Sequence, residues 1–274
     1  MPVNYSEPND LISVVVPVYN EEAGIAQLQE RLESVREKWQ ERRVEFVFVN
    51  DGSADNTQQA LENTFGQNPD CRIVKHTVNR GIGAAFRTGF SNSHGAIICT
   101  IDADCSYGPE NLYSLVRALD EQGADIAVAS PYHPQGRVEG VPRWRLVLSK
   151  GCSMFYRMVA PVRLYTYTSV FRAYRKQVVE AVDLRENGFV SAAEVLIRAA
   201  EQGFRITEVP MTLHARKIGQ TKMKILRTIR EHLKLMAKNV VGAGNHQASE
   251  TKSSTGNPNA VNTKLIAEAQ KGRS

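Results

Sequence analysis

Two aspartates one residue apart, Asp102 and Asp104, follow the apolar run Ala96-Ile97-Ile98-Cys99-Thr100-Ile101. Such a run predicts a strand buried on both faces of a mostly parallel sheet. Ligand sites in these sheets lie just beyond the carboxyl ends of the strands. If the chain stays extended, the two carboxylates point the same way. They then repel one another unless a cation sits between them. Hard oxygen donors suit Mg2+ or Mn2+, which bridge carboxylates to substrate phosphates. The same residues also fit a solvated acidic turn that caps the helix opened by Pro109.

Three other strand ends carry polar groups: Tyr19-Asn20-Glu21, Asn50-Asp51 and Asn79 to Gly83. Apolar periodicity supplies the elements that would position them. Leu11 to Val16 reads as a first strand stopped by Pro17, and Ile25, Leu28, Leu32, Val35 and Trp39 mark an amphipathic helix. A strand over Val44–Val49 ends in Asn50-Asp51-Gly52-Ser53-Ala54-Asp55-Asn56-Thr57, a dense turn and cap signal before a helix over about 55–65. A short strand (72–75), a glycine loop entering a helix, the Asp102 strand, a helix over 109–122 and a strand over 125–129 follow. This alternation predicts an α/β fold, a mostly parallel sheet with right-handed crossovers and helices on both faces. It brings all four polar strand ends to one edge, where a nucleotide is the natural ligand. Asp51 could accept from a base N–H there, and a metal at Asp104 could hold a diphosphate. Gly81-Ile82-Gly83 is not the G-x-G-x-x-G fingerprint and no Walker A lysine is present, which argues against a dehydrogenase or an NTPase.

Beyond Ser130 the chemistry changes. The net charge of +5 conceals an acidic half (residues 1–136, 10 Lys+Arg against 19 Asp+Glu) and a basic half (137–274, 24 against 10). Residues 137–176 carry nine Lys+Arg and one acid, Glu139. A helix over about 143–159, a strand over 168–173, a helix near 191–202 and a strand near 204–214 are expected there. Met223 to Val240 reads as a basic amphipathic helix with Ile225, Leu226, Ile229, Leu233, Met236 and Val240 as its apolar positions. Such a helix suits a membrane surface, the domain itself or a dimer seam. From Gly242 onward the composition is that of a disordered tail. No zinc-finger spacing and no aromatic-basic interleaving point to nucleic acid. No apolar run reaches the length of a membrane span, the N-terminus has no secretory signal, and four scattered cysteines suit reduced thiols. The expected location is the cytoplasm or the cytoplasmic face of a membrane.

Pro17-Val18-Tyr19-Asn20-Glu21, Val49 to Thr57, Asn79 to Ala85 and Asp102-Ala103-Asp104 resemble the ordered motifs of family-2 glycosyltransferases with the GT-A fold. Thr168 to Arg175, Glu208-Val209-Pro210 and Arg216 to Lys222 resemble segments of the dolichol-phosphate mannose synthase branch. The likeness implies a nucleotide-binding half (11–130) and an acceptor half (131–220) in one domain over 11–220. The N-terminal extension 1–10, the basic helix 221–241 and the tail 242–274 flank it. It implies that Pro17, Tyr19, Glu21 and Asp51 hold the nucleoside. Asp102, Ala103 and Asp104 would form the donor's metal motif, with Mg2+ or Mn2+ on Asp102 and, more directly, on Asp104. Arg145, Arg216 and Lys222 would meet diphosphate or acceptor phosphate, and Glu194 would be a catalytic base or an acceptor-orienting acid.

The implied reaction is inverting transfer of a hexose, mannose from GDP-mannose first, to a polyprenyl phosphate. An already ionised acceptor needs little general base, whereas a hydroxyl acceptor needs one. Two other readings stand beside it: transfer from another donor such as UDP-glucose to a sugar or polymer hydroxyl, and a non-catalytic nucleotide-sugar-binding protein. Three positions depart from the branch. Ser106 stands where Gln is usual after the second aspartate, Pro131 where Arg is usual, and Val170 where Gly is usual.

Overall fold

The structure is a computed structural model that describes residues 11–39, 42–215 and 228–237. The expected extension 1–10, the tail 242–274, Arg216 and Lys222 lie outside the described residues, as does part of the expected helix 221–241. The chain divides into a unit Met1–Leu235 and a unit Met236–Ser274. The first is described below.

The order of elements is β1 (Leu11–Val18), α1 (Ile25–Lys38), β2 (Arg43–Asn50), α2 (Thr57–Phe65), β3 (Cys71–Lys75), α3 (Ile82–Ser91), β4 (Ile97–Thr100), α4 (Leu112–Glu121), β5 (Ile126–Ser130), β6 (Arg137–Glu139), α5 (Arg143–Val159), β7 (Arg172–Arg175), α6 (Lys176–Ala181), α7 (Ser191–Glu201), β8 (Ile206–Pro210) and β9 (Thr212–His214). Seven strands form one sheet in the order β3-β2-β1-β4-β7-β5-β8. All pairs are parallel except those of β7, which runs antiparallel to β4 and β5. β6 and β9 pair separately.

The strands read as unbroken apolar runs because both faces are covered. Ile12, Val14 and Val16 pack with the α1 stripe Ile25, Leu28, Leu32 and Val35 and with Leu112, Leu115 and Leu119 of α4. On the other face α3 lies close enough to β1 that a Cβ on Gly89 would stand 2.2 Å from Val15 Cγ1. Only glycine permits that approach.

Pro17 does not stop β1, which continues to Val18 in register with Asn50. The ladder with β4 ends at Val15–Thr100, and the Val15 carbonyl accepts from Ile101 N–H. Pro17 has the parity of Val15, so its missing N–H faces the side where that ladder has already ended. The expected strand over 168–173 lies later, at Arg172–Arg175: the Val170 carbonyl accepts from Thr100 Oγ1 at 2.5 Å and Phe171 N–H donates to Ser169 Oγ at 3.3 Å, so these backbone groups bond side chains rather than a neighbouring strand. The expected strand over 204–214 breaks at Met211. Its N–H bonds the Ser130 carbonyl and its own carbonyl accepts from Arg137 N–H, which passes the chain from β5 to β6. β6 and α6 were not foreseen.

Candidate active site

The strand order makes β1 and β4 the switch point: after β3 the chain returns to the opposite side of β1. Crevices at such points hold the ligands of open α/β sheets. The loops after β1, β2, β3 and β4 therefore share one edge, as the sequence predicts.

The chain does not stay extended through the two aspartates. β4 ends at Thr100, and Asp102 to Cys105 form a turn closed by Cys105 N–H on the Asp102 carbonyl at 3.2 Å. Cys105 takes a positive φ of 51°. Asp104 Oδ1 accepts the N–H of Ser106 at 2.9 Å. The period-two argument for a shared direction thus fails at this edge, and a tight turn replaces it. Ser106 enters through its backbone, and its carbonyl accepts His214 N–H, which ties the turn to β9. Burial, opposed by Arg31 and reinforced by Asp104 and Asp102, pushes the Cys105 thiol up to about 12. It is a neutral thiol at physiological pH, so the hard donors of this turn are the carboxylates.

The loops after β1 and β2 are laced to one another. Asn20 N–H donates to Ser53 Oγ at 2.9 Å, Ala54 N–H to Asn20 Oδ1 at 2.7 Å, and Glu21 N–H to Thr57 Oγ1 at 2.8 Å. Asn50 Oδ1 receives both the N–H and the hydroxyl of Ser53. Asn20, in the left-handed region at φ 51°, turns the chain so that these bonds close. Pro17, Tyr19 and Glu21 therefore lie on a segment whose course is set by the β2–α2 turn.

Asp51 sits at this edge but is 3% exposed. Its Oδ1 is 2.6 Å from His76 Nδ1 and accepts Arg80 N–H at 2.9 Å, while Oδ2 accepts Gly81 N–H at 2.8 Å. The carboxylate expected to meet a base is directed at the β3–α3 turn. Glu194 is likewise neither an exposed helical acid nor an open base. It is 1% exposed, and its oxygens accept Arg185 N–H at 3.1 Å, Glu186 N–H at 2.8 Å and Arg198 Nε at 2.8 Å. Its place in the first turn of α7 also favours the negative charge.

The glycine turn fits the same pattern. Gly83 N–H donates to the Asn187 carbonyl at 2.8 Å. A Cβ on Gly81 (φ 94°) would stand 2.3 Å from that oxygen, and one on Gly83 would stand 2.1 Å from the Glu186 carbonyl oxygen. The glycines let segment 184–187 lie on the turn. The N–H groups of Arg80, Gly81 and Gly83 are thus taken by the protein and do not serve a phosphate at this helix N-terminus.

Residues 13–183 match the model of glycosyl transferase family 2. The chain belongs to that family. It is 33% identical over 223 residues to the polyprenol monophosphomannose synthase of Mycolicibacterium smegmatis, covering 79% of this chain and 82% of that one. It is also 33% identical to the dolichol-phosphate mannosyltransferase of Pyrococcus furiosus, covering 81% of this chain and 62% of that one. These likenesses set it in the dolichol-phosphate mannose synthase-like branch, and it is a glycosyltransferase. Among solved structures it resembles the glucosyl-3-phosphoglycerate synthase of Mycobacterium tuberculosis in complex with UDP, with a TM-score of 0.62, 19% identity and coverage of 84% and 80% of the two chains. It also resembles residues 1–349 of S. aureus TarS in complex with UDP-GlcNAc, with a TM-score of 0.58, 20% identity and coverage of 83% and 66%. The fold is GT-A.

Beyond β5, helix α5 of this family-2 glycosyltransferase turns hydroxyls inward and apolar side chains outward. Its inward positions are Ser149, Ser153 and Tyr156: Ser149 bonds Thr168, and the buried Tyr156 ring stacks on Tyr167. Trp144, Val147, Leu148, Met154, Phe155 and Met158 are exposed, with Val147, Met154 and Met158 at 70, 66 and 62%. Spacings of three, four and seven make them one stripe. Arg145, in the first turn of this helix, has its guanidinium 5.2 Å from the Trp144 ring centre, and its buried Nε has no hydrogen-bond partner. In the C-terminal helical residues 228–237, His232 and Leu235 are buried, whereas Ile229 and Leu233, expected on a common apolar face with Met236, are exposed. Tyr156 and His232 join this helix to α5 at 2.8 Å.

Sequence reasoning missed His76, which carries Asp51 on Nδ1 and Thr88 on Nε2 at 2.9 Å. It missed Glu208 as an anchor: both of its carboxylate oxygens accept the N–H groups of Tyr165 and Thr166. Only the Glu-Val-Pro resemblance pointed toward it.

Proposed function

We propose that this glycosyltransferase moves a hexose, mannose from GDP-mannose first, from a nucleotide-diphosphate sugar to a polyprenyl phosphate at a membrane surface. The observation that carries the reading is α5. An apolar stripe faces outward from a helix that spends its hydroxyls inward, within a stretch lacking any acid between Glu139 and Glu180. Apolar faces of this kind are costly in water and suit an interface. Each nearby Lys or Arg adds about 1 kcal/mol toward an anionic surface. α5 would share the membrane surface with the helix expected over Met223 to Val240, whose described residues 228–237 expose Ile229 and Leu233. Among the described residues no helix is long and apolar enough to cross a membrane.

Asp102 and Asp104 would hold a divalent ion together with donor phosphates. Among the described residues no three His, Cys, Asp or Glu side chains form a metal cluster. Two carboxylates on one turn nevertheless suit Mg2+ or Mn2+, which complete their shells with water and substrate oxygens. The ion would neutralise charge on the leaving diphosphate. Pro17, Tyr19 and Glu21 would line the nucleoside, with Asp51 acting through the turn it orders. Arg145, Arg216 and Lys222 would meet the phosphates. Glu194, committed to N–H donors, lends no support to a hydroxyl-activating base, and a phosphate acceptor requires none. In-line attack of the acceptor oxygen on the anomeric carbon breaks its bond to the diphosphate and inverts its configuration.

A donor screen tests this reading: GDP-mannose, UDP-glucose and other nucleotide sugars with a short polyprenyl phosphate and MnCl2. The expected product is the β-linked polyprenyl phosphohexose. Transfer only to a free sugar would favour a hydroxyl acceptor. Nucleotide binding with no transfer from any donor would favour a non-catalytic binder.

A further inference from the structure

We propose that Glu194 and Arg87 are paired positioning residues for nucleotide binding, which they serve by clamping segment 184–187 against the glycine turn. The inference rests on the reading of that turn as part of the donor edge.

Segment 184–187 is held from two sides by opposite charges. From α7, Glu194 accepts the N–H groups of Arg185 and Glu186. From α3, Arg87 Nη1 donates to the carbonyls of Leu184 at 3.2 Å and Glu186 at 3.1 Å, and Nη2 donates to Asn187 Oδ1. The cation thus takes the acceptors of the segment and the anion its donors. Charge-assisted bonds of this kind are the strong ones. The segment then presents the Asn187 carbonyl to Gly83 N–H.

The glycine turn is gripped on its other side by Asp51, through Arg80 N–H and Gly81 N–H. Its position is therefore set jointly by the end of β2 and by α7, elements far apart in the chain. Gly81 and Gly83 have no room for a Cβ, so the contact is backbone on backbone and transmits displacement directly. Release of the clamp would leave the turn held by Asp51 alone. Arg198 Nε, on Glu194 Oε1 at 2.8 Å, keeps the buried carboxylate paired.

The experiment is calorimetric titration of GDP and of UDP, each with MnCl2, into the full chain and its Glu194→Gln, Arg87→Gln and double variants. Steady-state kinetics across pH accompany it, and thermal melts confirm that each variant folds. Each single variant is expected to weaken the nucleotide about tenfold, near 1.4 kcal/mol. Donor KM should rise in step while the pH profile of kcat keeps its shape. The double variant should bind little worse than the weaker single, because both residues hold one segment. Arg87→Lys should recover part of the loss.

Affinities within twofold of wild type in both singles would overturn the inference, as would strictly additive effects. So would loss of the acidic limb of kcat in Glu194→Gln at unchanged KM, the behaviour of a general base. If Glu194→Gln does not fold, Arg87→Gln decides by the same criteria. A wild-type chain that binds neither nucleotide would overturn the proposed donor reading and this inference with it. Normal wild-type binding with insensitive variants would sink the inference alone.

Discussion

Gly83 donates its backbone N–H to the carbonyl of Asn187 at 2.8 Å, joining the turn after β3 to the segment before α7. The glycine turn and the segment held by the buried Glu194 meet there as parts of one scaffold.

That contact predicts a contrast between glycines. Gly83→Ala places a methyl 2.1 Å from the Glu186 carbonyl oxygen and should destabilise the protein by about 1–3 kcal/mol. Gly151→Ala, in the middle of α5 with no atom within 4 Å, should stabilise it by about 1 kcal/mol. Urea midpoints of the two variants read the difference, and equal shifts would refute the geometry.

Asp104→Ala should lower metal-dependent sugar transfer roughly 10³-fold, as loss of a charge-stabilising group at a leaving diphosphate does. It also removes the acceptor of Ser106 N–H, so a loss of about 1 kcal/mol in stability should accompany it. Turnover against MnCl2 concentration is the measurement. Saturation at wild-type rate would remove Asp104 from the metal motif.

The outward stripe of α5 predicts a separation of functions. Leu148→Glu with Met154→Glu should reduce co-sedimentation with anionic vesicles at least tenfold and leave nucleotide affinity unchanged. Both side chains are exposed, so the melting temperature should hold. Vesicle binding equal to wild type would move the membrane contact away from α5.

His232 predicts a pH dependence. Its pKa is held below the ordinary 6.5 chiefly by burial, with Glu231 acting the other way. The unfolded chain therefore binds more protons just below pH 6.5, and stability falls as the pH drops through that value. Burial alone would raise the Glu45 pKa, but hydrogen bonds from Ser13 and His94 together hold it below the ordinary 4.5, so its stability loss appears only as the pH falls below that value. Melting temperatures between pH 7.5 and 5.5 should decline in wild type and decline less in His232→Asn. Parallel slopes would exclude His232 as the source.

The order of strands and helices through β5 was legible because each covered strand is an unbroken apolar run and each helix repeats every three to four residues. Val14 and Leu28 announce their burial by type and spacing alone. The strand-end edge followed from the alternation, and the family motifs along it were readable in order.

The outward direction of α5 was not legible, because periodicity marks a stripe without saying which way it faces. Nor were the partners of Asp51 and Glu194. A carboxylate in a motif has the same letters whether it meets a ligand or a backbone N–H, and the donors here come from turns remote in the chain. Local propensity and apolar spacing act within a few residues, so they sufficed for the sheet and its acidic edge. Which charges were buried against the protein, which remained for substrate, and where Asp102 and Asp104 turned depended on contacts that exist only after the halves have packed.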